Sequence, residues 1–199
     1  MAGLDRVLPN EPGVPPETRA AFAQKAHADL SQFLHERTKE LVPGGEGVYV
    51  MVGGDGPLCW RDKDGASLFT HTLRNTVKKG LIPASALEAA QMNYYLRTEE
   101  EIRRTASEVE GLEVLDVRSH TIFTGANVPD EDSAQVCADL AWSVHVGSLR
   151  DSTGCSEAEL GIIYEELLSV CKRHGSFLGT FTLRPRNSYA MLTVRKHDE

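Results

Sequence analysis

The sequence predicts an α/β fold, and three observations carry that expectation. Long stretches place apolar residues at helical spacing with charges between them. Short runs such as "VYVMV" and "LEVLDVRSHTIF" are apolar or alternating, as strands are. The segments follow one another as helix–strand–helices–strand–helices–strand, which is the order of a layered α/β arrangement rather than of a bundle or a sandwich.

Taken in order, residues 1–16 are rich in Pro and Gly and read as an extended arm or linker. From Glu17, Phe22, Ala26, Leu30, Phe33, Leu34 and Leu41 recur at helical spacing, and Pro43, Gly44 and Gly45 stop the helix. Val48–Val52 is apolar on both faces, which predicts a strand buried in a mostly parallel sheet. Leu68, Phe69, Leu73 and Val77 mark a second helix closed at Gly80, and the stretch from Pro83 to Tyr95 reads as a short turn. Thr98 is a good N-cap for "EEEIRRTASEV", whose acidic first turn suits the helix dipole. Gly111 ends that helix and a strand follows. Two helices come next, one carrying Val136, Leu140, Ala141, Val144 and His145, the other Leu160, Ile163, Tyr164, Leu167, Leu168 and Cys171. A last strand spans Tyr189 to Val194.

The chain has 199 residues, enough for a core that buries roughly 70% of the unfolded surface. Its formal charge of -8 argues against nucleic acid, because phosphate contacts need clustered Lys and Arg. There is no polybasic patch for a membrane surface, no apolar run of spanning length and no leader pattern at the start. Cys59, Cys137, Cys155 and Cys171 form no C-x-x-C pair and read as reduced thiols. The expectation is a soluble, cytoplasmic protein.

Residue patterns alone assign little chemistry. A phosphate-cradling glycine loop follows a strand and opens directly into a helix. Gly44 and Gly45 follow a helix instead, and Gly53, Gly54 and Gly56 lead into "PLCWRDKDG", so these glycines read as punctuation. Cys171 and His174 share a helical face, but a zinc site needs four ligands, and a buried thiol beside a helix-terminal histidine is the simpler account. His27 and His35 lie on polar helix faces and read as solvated. No G-x-S-x-G is present. Trp142 sits among apolar positions, where an aromatic belongs either to the core or to a pocket wall.

Three stretches together carry a resemblance. Residues 21–54 end a long helix in "ELVPGG" before a strand. "VKKGLI" is followed by "MNYYLRTEEEIRRTASEVEGLEVLDV", and "EAELGIIYEELLSVCKRHG" precedes the last strand. In order and spacing these resemble the plant-type S-adenosylmethionine-dependent carboxyl methyltransferases, the SABATH family. That family methylates salicylate, benzoate, jasmonate and related small acids, and some members methylate xanthine alkaloids. The resemblance covers only the C-terminal half of that fold. It implies the last three or so strands of a Rossmann-like class I methyltransferase sheet with a helical cap, as one partial domain over residues 17–199. The family's glycine-rich opening, its D-x-G-x-x-x-G turn and its ribose-binding acid have no counterpart here.

The resemblance implies further roles. Ala66, Met92, Asn93 and Trp142 would lie near the acceptor, with Ala66 where plant members often carry a bulky aromatic. The family's D-x-F-N pattern is associated with magnesium. Here it reads "AQMN": Asn93 matches, but Ala90 replaces the carboxylate, which argues against a hard-cation site. Asn93 otherwise reads as a turn residue. The cofactor implied is S-adenosylmethionine, although its cradle is missing, so the chain alone is expected to be inactive. Two readings remain open: the acceptor-binding half of a methyltransferase, or a non-catalytic partner or relic of the family. Either way the strand at Val48–Val52 would expose an apolar edge. A partner carrying the rest of the sheet, a second copy, or an upstream segment lost through a truncated gene model would account for it.

Overall fold

A computed structural model describes residues 6–53, 64–92, 95–123, 130–176 and 186–198. The element order is α1 (Pro16–Glu40), β1 (Glu46–Val52), α2 (Leu68–Lys78), α3 (Ala84–Ala89), α4 (Glu99–Ser107), β2 (Leu112–Phe123), α5 (Asp130–Thr153), α6 (Glu157–Ser176) and β3 (Arg186–Lys196). The α/β class and the helix–strand order follow the sequence reading. The stretch after Pro83, expected to be a turn, contains the short helix α3.

The chain forms two compact units. One comprises Met1–Pro15, Cys59–Tyr94 and Phe123–Pro185; the other comprises Pro16–Leu58, Tyr95–Ile122 and Arg186–Glu199. The second is an α/β unit holding α1, α4 and a three-stranded sheet in the order β1-β3-β2. The first is helical and holds α2, α3, α5 and α6.

In the α/β unit, Pro16 opens α1, where a proline forfeits only an N–H that has no intrahelical partner. Beyond the helix, Gly44 turns the chain at φ +70° and donates its N–H to Lys196 O at 3.1 Å. That bond ties the start of β1 to the end of β3. The expected cap at Thr98 is a complete capping box: Thr98 Oγ1 accepts from Glu101 N at 3.2 Å, and Glu101 Oε2 accepts from Thr98 N at 2.8 Å. Leu30 and Leu34 of α1 and Ile102 and Ala106 of α4 share one core with Leu112 and Val117 of β2 and Ala190, Leu192 and Val194 of β3.

Strand β1 departs from its expected environment. It runs antiparallel to β3, with Tyr49 opposite Leu192 and Met51 opposite Ala190, and those pairs face the core. The pleat sends alternate residues the other way. Val48, Val50 and Val52 therefore point outward and remain 59%, 62% and 49% exposed. A run apolar on both faces predicts full burial; here only one of those faces is covered. The expected free edge is closed at one end, where Gly53 makes a parallel bridge to Arg97.

In the helical unit, residues 6–15 do not stand off as an extended arm. They form turns, and Val7 and Leu8 are buried in the same cluster as Phe69, Leu73, Met92, Ala138, Leu149, Ile163 and Leu167. Helix α5 presents a different face from the one expected. Ala134, Cys137, Ala138 and Leu149 are buried, whereas Val136, Leu140 and Val144 are exposed. The buried Ala134, Cys137 and Ala138 share one core cluster with Leu160, Ile163, Leu167 and Cys171 of α6. No helix among the described residues is long and apolar enough to cross a membrane.

Candidate functional site

The first turn of α2 and the middle of α5 frame the candidate site in the helical unit. Ser67 caps α2 and is buried, its Oγ accepting from Thr70 N at 3.3 Å. Ala66, directly ahead of that cap, is fully buried. The positive end of α2 would suit a carboxylate, but the chain supplies one of its own. Thr70 Oγ1 donates to Glu11, lying 2.7 and 2.9 Å from its two carboxylate oxygens, and Leu8 N donates to Glu11 Oε1 at 3.3 Å. Arg6 Nη1 stands 3.8 Å from Glu11 Oε2. Glu11 is completely buried. An acceptor carboxylate would need donors elsewhere.

In the first turn of α2, the Phe69 ring lies 4.6 Å from the His145 ring, tilted by 37°. His145 Nδ1–H donates to Ala141 O at 2.7 Å, a bond that fixes the tautomer. Burial pushes the imidazole below its ordinary pKa, so the ring is neutral at physiological pH. One turn back along α5, Trp142 packs edge-on to Tyr164 of α6, with ring centroids 5.5 Å apart. The Tyr164 hydroxyl donates to Asp139 and accepts from Gln135 Nε2 at 2.5 Å. Its pKa is raised mainly by the bond to the Asp139 carboxylate.

Met92 is fully buried, and its N–H donates to Val7 O at 2.9 Å. Gln91 N donates to Ser152 Oγ at 3.1 Å, which holds this segment against α5. Met92 and Trp142 thus share one apolar cluster, Trp142 at its margin, and Ala66 is buried just ahead of α2. Asn93 lies outside the described residues. The sequence marks Phe69 and His145 only as helix-face positions. Their signal is spacing: each stands three residues beyond a candidate, Ala66 and Trp142 respectively.

Other polar groups are structural. His27, expected to be solvated, donates from Nδ1 to Thr105 Oγ1 at 2.8 Å and has Nε2 3.3 Å from Glu108. This resembles a nucleophile–base–acid series, but the Thr105 hydroxyl is buried and donates to Glu101 O at 2.8 Å. Its proton is not available to His27. His35 is exposed, as expected. Cys171 is buried beside Cys137, and its thiol pKa is pushed up by the sulfur hydrogen bond between them and by burial. The His174 side chain, Cys59, Gly54 and Gly56 lie outside the described residues. Among the described residues, no group of three or more His, Cys, Asp or Glu could hold a metal.

Gly53, the glycine that follows β1, is used for backbone packing. It stands at φ +145°, where an added Cβ would lie 2.8 Å from Arg97 O. Its freedom lets the Arg97 backbone approach, which is a structural use rather than a cradle. Arg97 is held in turn by two bonds to Ala26 O, at 3.1 and 2.7 Å.

Comparison with known proteins gives a consistent picture. Residues 11–149 match the sequence profile of a family described as SAM dependent carboxyl methyltransferase. O-methyltransferase acrG of Aspergillus aculeatus is 31% identical over 115 residues, covering 54% of this chain and 31% of its own length. The 3,7-dimethylxanthine N-methyltransferase TCS1 of Camellia sinensis var. assamica is 31% identical over 94 residues, 45% of this chain and 25% of its own length. The Theobroma cacao protein named "Probable jasmonic acid carboxyl methyltransferase 2" is 23% identical over 177 residues, 87% of this chain and 48% of its own. A solved structure of loganic acid methyltransferase with SAH shares the fold, with TM-score 0.74 and 17% identity over 98% of this chain and 54% of that one. The matches span about a quarter to a half of the curated relatives' lengths.

Proposed function

We propose, because the chain belongs to the SAM-dependent carboxyl methyltransferase family, that it is the acceptor-binding part of such an enzyme. It would act on a small carboxylic acid together with a cofactor-binding part that its described residues do not contain. The observation that carries this reading is the helical unit itself. It gathers Met92, Phe69, Trp142 and His145 around one apolar cluster.

The chemistry asks little of such a unit. A carboxylate acceptor is already ionised at neutral pH, so no general base is required. What remains is to orient the acid and exclude water. Trp142 and Phe69 offer flat apolar walls, and the neutral His145 adds polarity without adding charge. Ala66, where plant members often carry a bulky aromatic, is a small residue packed ahead of the α2 cap. Asn93, the one match to a magnesium pattern, would act at most as a polar contact, since Ala90 supplies no carboxylate.

The test is a ligand-observed NMR titration of the folded chain with benzoate, salicylate and jasmonate, repeated with Trp142→Ala. Binding of one acid, weakened at least tenfold by that substitution, is the expected result. If none of the acids binds, the chain is better read as a non-catalytic member of the family. A parallel calorimetric titration with S-adenosylmethionine should give no heat; micromolar binding would mean that the chain carries a cofactor site after all.

A further inference from the structure

We propose that Cys137 and Cys171 form a redox pair, which a hydroperoxide oxidises to a disulfide that staples α5 to α6. The proposal is independent of the acceptor-binding reading and stands on the core of the helical unit. The sequence holds no C-x-x-C motif, and the pair exists only in the fold. Cys137 lies on α5 and Cys171 on α6, and both are buried free thiols within one apolar cluster. Ala134 and Ala138 of α5 and Leu160, Ile163 and Leu167 of α6 share that cluster. A hydrogen bond joins the two sulfurs, with Cys171 donating its S–H to Cys137. The folded chain has thus already closed the loop between them, which is the main entropic cost of joining distant cysteines.

The two thiols are not equivalent. Cys171 is fully buried, whereas Cys137 keeps 7% of its surface open to solvent. Hydrogen peroxide is little larger than water, so Cys137 is the sulfur it meets first. The hydrogen bond favours the same residue. The bond from Cys171 eases the Cys137 thiol towards thiolate, while that bond and burial hold Cys171 as a thiol. Cys137 is therefore the attacking sulfur. It takes one peroxide oxygen and the O–O bond breaks. The other oxygen leaves with the Cys137 proton, as an alcohol or, from hydrogen peroxide, as water. The product at Cys137 is a sulfenic acid. The Cys171 sulfur then attacks it, the S–S bond forms, and the sulfenic oxygen departs as water with the Cys171 proton. The two sulfurs lose two electrons and the peroxide gains them. The bond lies on the same α5–α6 seam that holds Trp142 against Tyr164, so the staple limits local opening there.

The test uses the whole reduced chain, shown by circular dichroism to be folded, with hydrogen peroxide as the probe. The remaining thiols are alkylated and a digest is read by mass spectrometry. The expected product is a Cys137–Cys171 disulfide, two hydrogens lighter than the dithiol and reversed by dithiothreitol. Amide hydrogen exchange in α5 around Cys137 should slow about tenfold or more on oxidation. In Cys171→Ser, dimedone should trap a sulfenic acid at Cys137. In Cys137→Ser, Cys171 should stay reduced under the same treatment. Four outcomes would overturn the proposal: a folded chain in which this disulfide does not form, a disulfide that appears only after urea has unfolded the chain, an oxidised α5 that exchanges as fast as the reduced one, or dimedone on Cys171 rather than on Cys137. The first three are read on the wild-type chain, so a variant that fails to fold leaves the proposal open to refutation.

Discussion

The Phe69 ring rests 4.6 Å from the His145 ring, joining the first turn of α2 to the middle of α5. Two helices far apart in sequence therefore meet through one aromatic and one titratable ring. That relationship gives the helical unit a pH dependence. Burial lowers the His145 pKa, and the bond to Ala141 O only partly opposes it. The unfolded chain takes up the proton first, near its ordinary value of 6.5. This contribution to stability is therefore complete above that pH and is lost as the pH falls from there towards the folded pKa. Thermal melts at about pH 7.5 and about pH 5.5 should show a larger fall in Tm for the wild type than for His145→Gln.

Glu11 and Thr70 should be energetically coupled. Thr70→Val leaves a fully buried carboxylate without its shortest bond, for a cost of about 1–3 kcal/mol. Glu11→Gln should cost a similar amount by leaving Arg6 near a neutral partner. Urea denaturation of both single variants and the double variant checks this. A double variant no worse than the worse single one indicates coupling, and strict additivity would mean that the bond contributes nothing.

The phase of α5 can be read from two aspartates. Ala138 is fully buried, so Ala138→Asp should unfold the helical unit or cost about 3 kcal/mol or more. Val144 is exposed, and Val144→Asp should stay within about 0.5 kcal/mol. The reverse order in denaturant midpoints would restore the face that hydrophobicity alone suggests.

Two glycines should respond with opposite signs to the same change. Gly53→Ala puts a Cβ 2.8 Å from Arg97 O at φ +145°, and should cost about 1–3 kcal/mol. Gly147 lies within α5, and a Cβ added there would meet nothing within 4 Å, so Gly147→Ala should stabilise by about 0.5–1 kcal/mol. Differential scanning calorimetry of the two variants separates the outcomes.

What can be read in the sequence depends on local chemistry. Thr98 with Glu101 announces a capping box, Gly44, Gly80 and Gly111 mark left-handed turns, and the order of periodicities gives the α/β class; the structure bears out each. These features need only neighbours a few residues away, so the chain carries them wherever it folds. The resemblance to carboxyl methyltransferases is legible for the same reason, as an ordered series of such local signals.

Tertiary structure decided the rest, because burial depends on what packs from a distance. Val136, Leu140 and Val144 have the periodicity of a core face, yet the smaller Ala134, Cys137 and Ala138 are the residues buried in the cluster shared with α6. Val48, Val50 and Val52 are as apolar as Tyr49 and Met51, but only the latter pair meets a helical layer. Glu11, in a segment whose composition suggests a free arm, became a buried anchor because Thr70, 59 residues away, offers it a hydroxyl. The sequence by itself determined the order of the main helices and strands and the family to which they belong, because both rest on local signals. Which side of each is dry was decided only when distant segments competed for the same contacts.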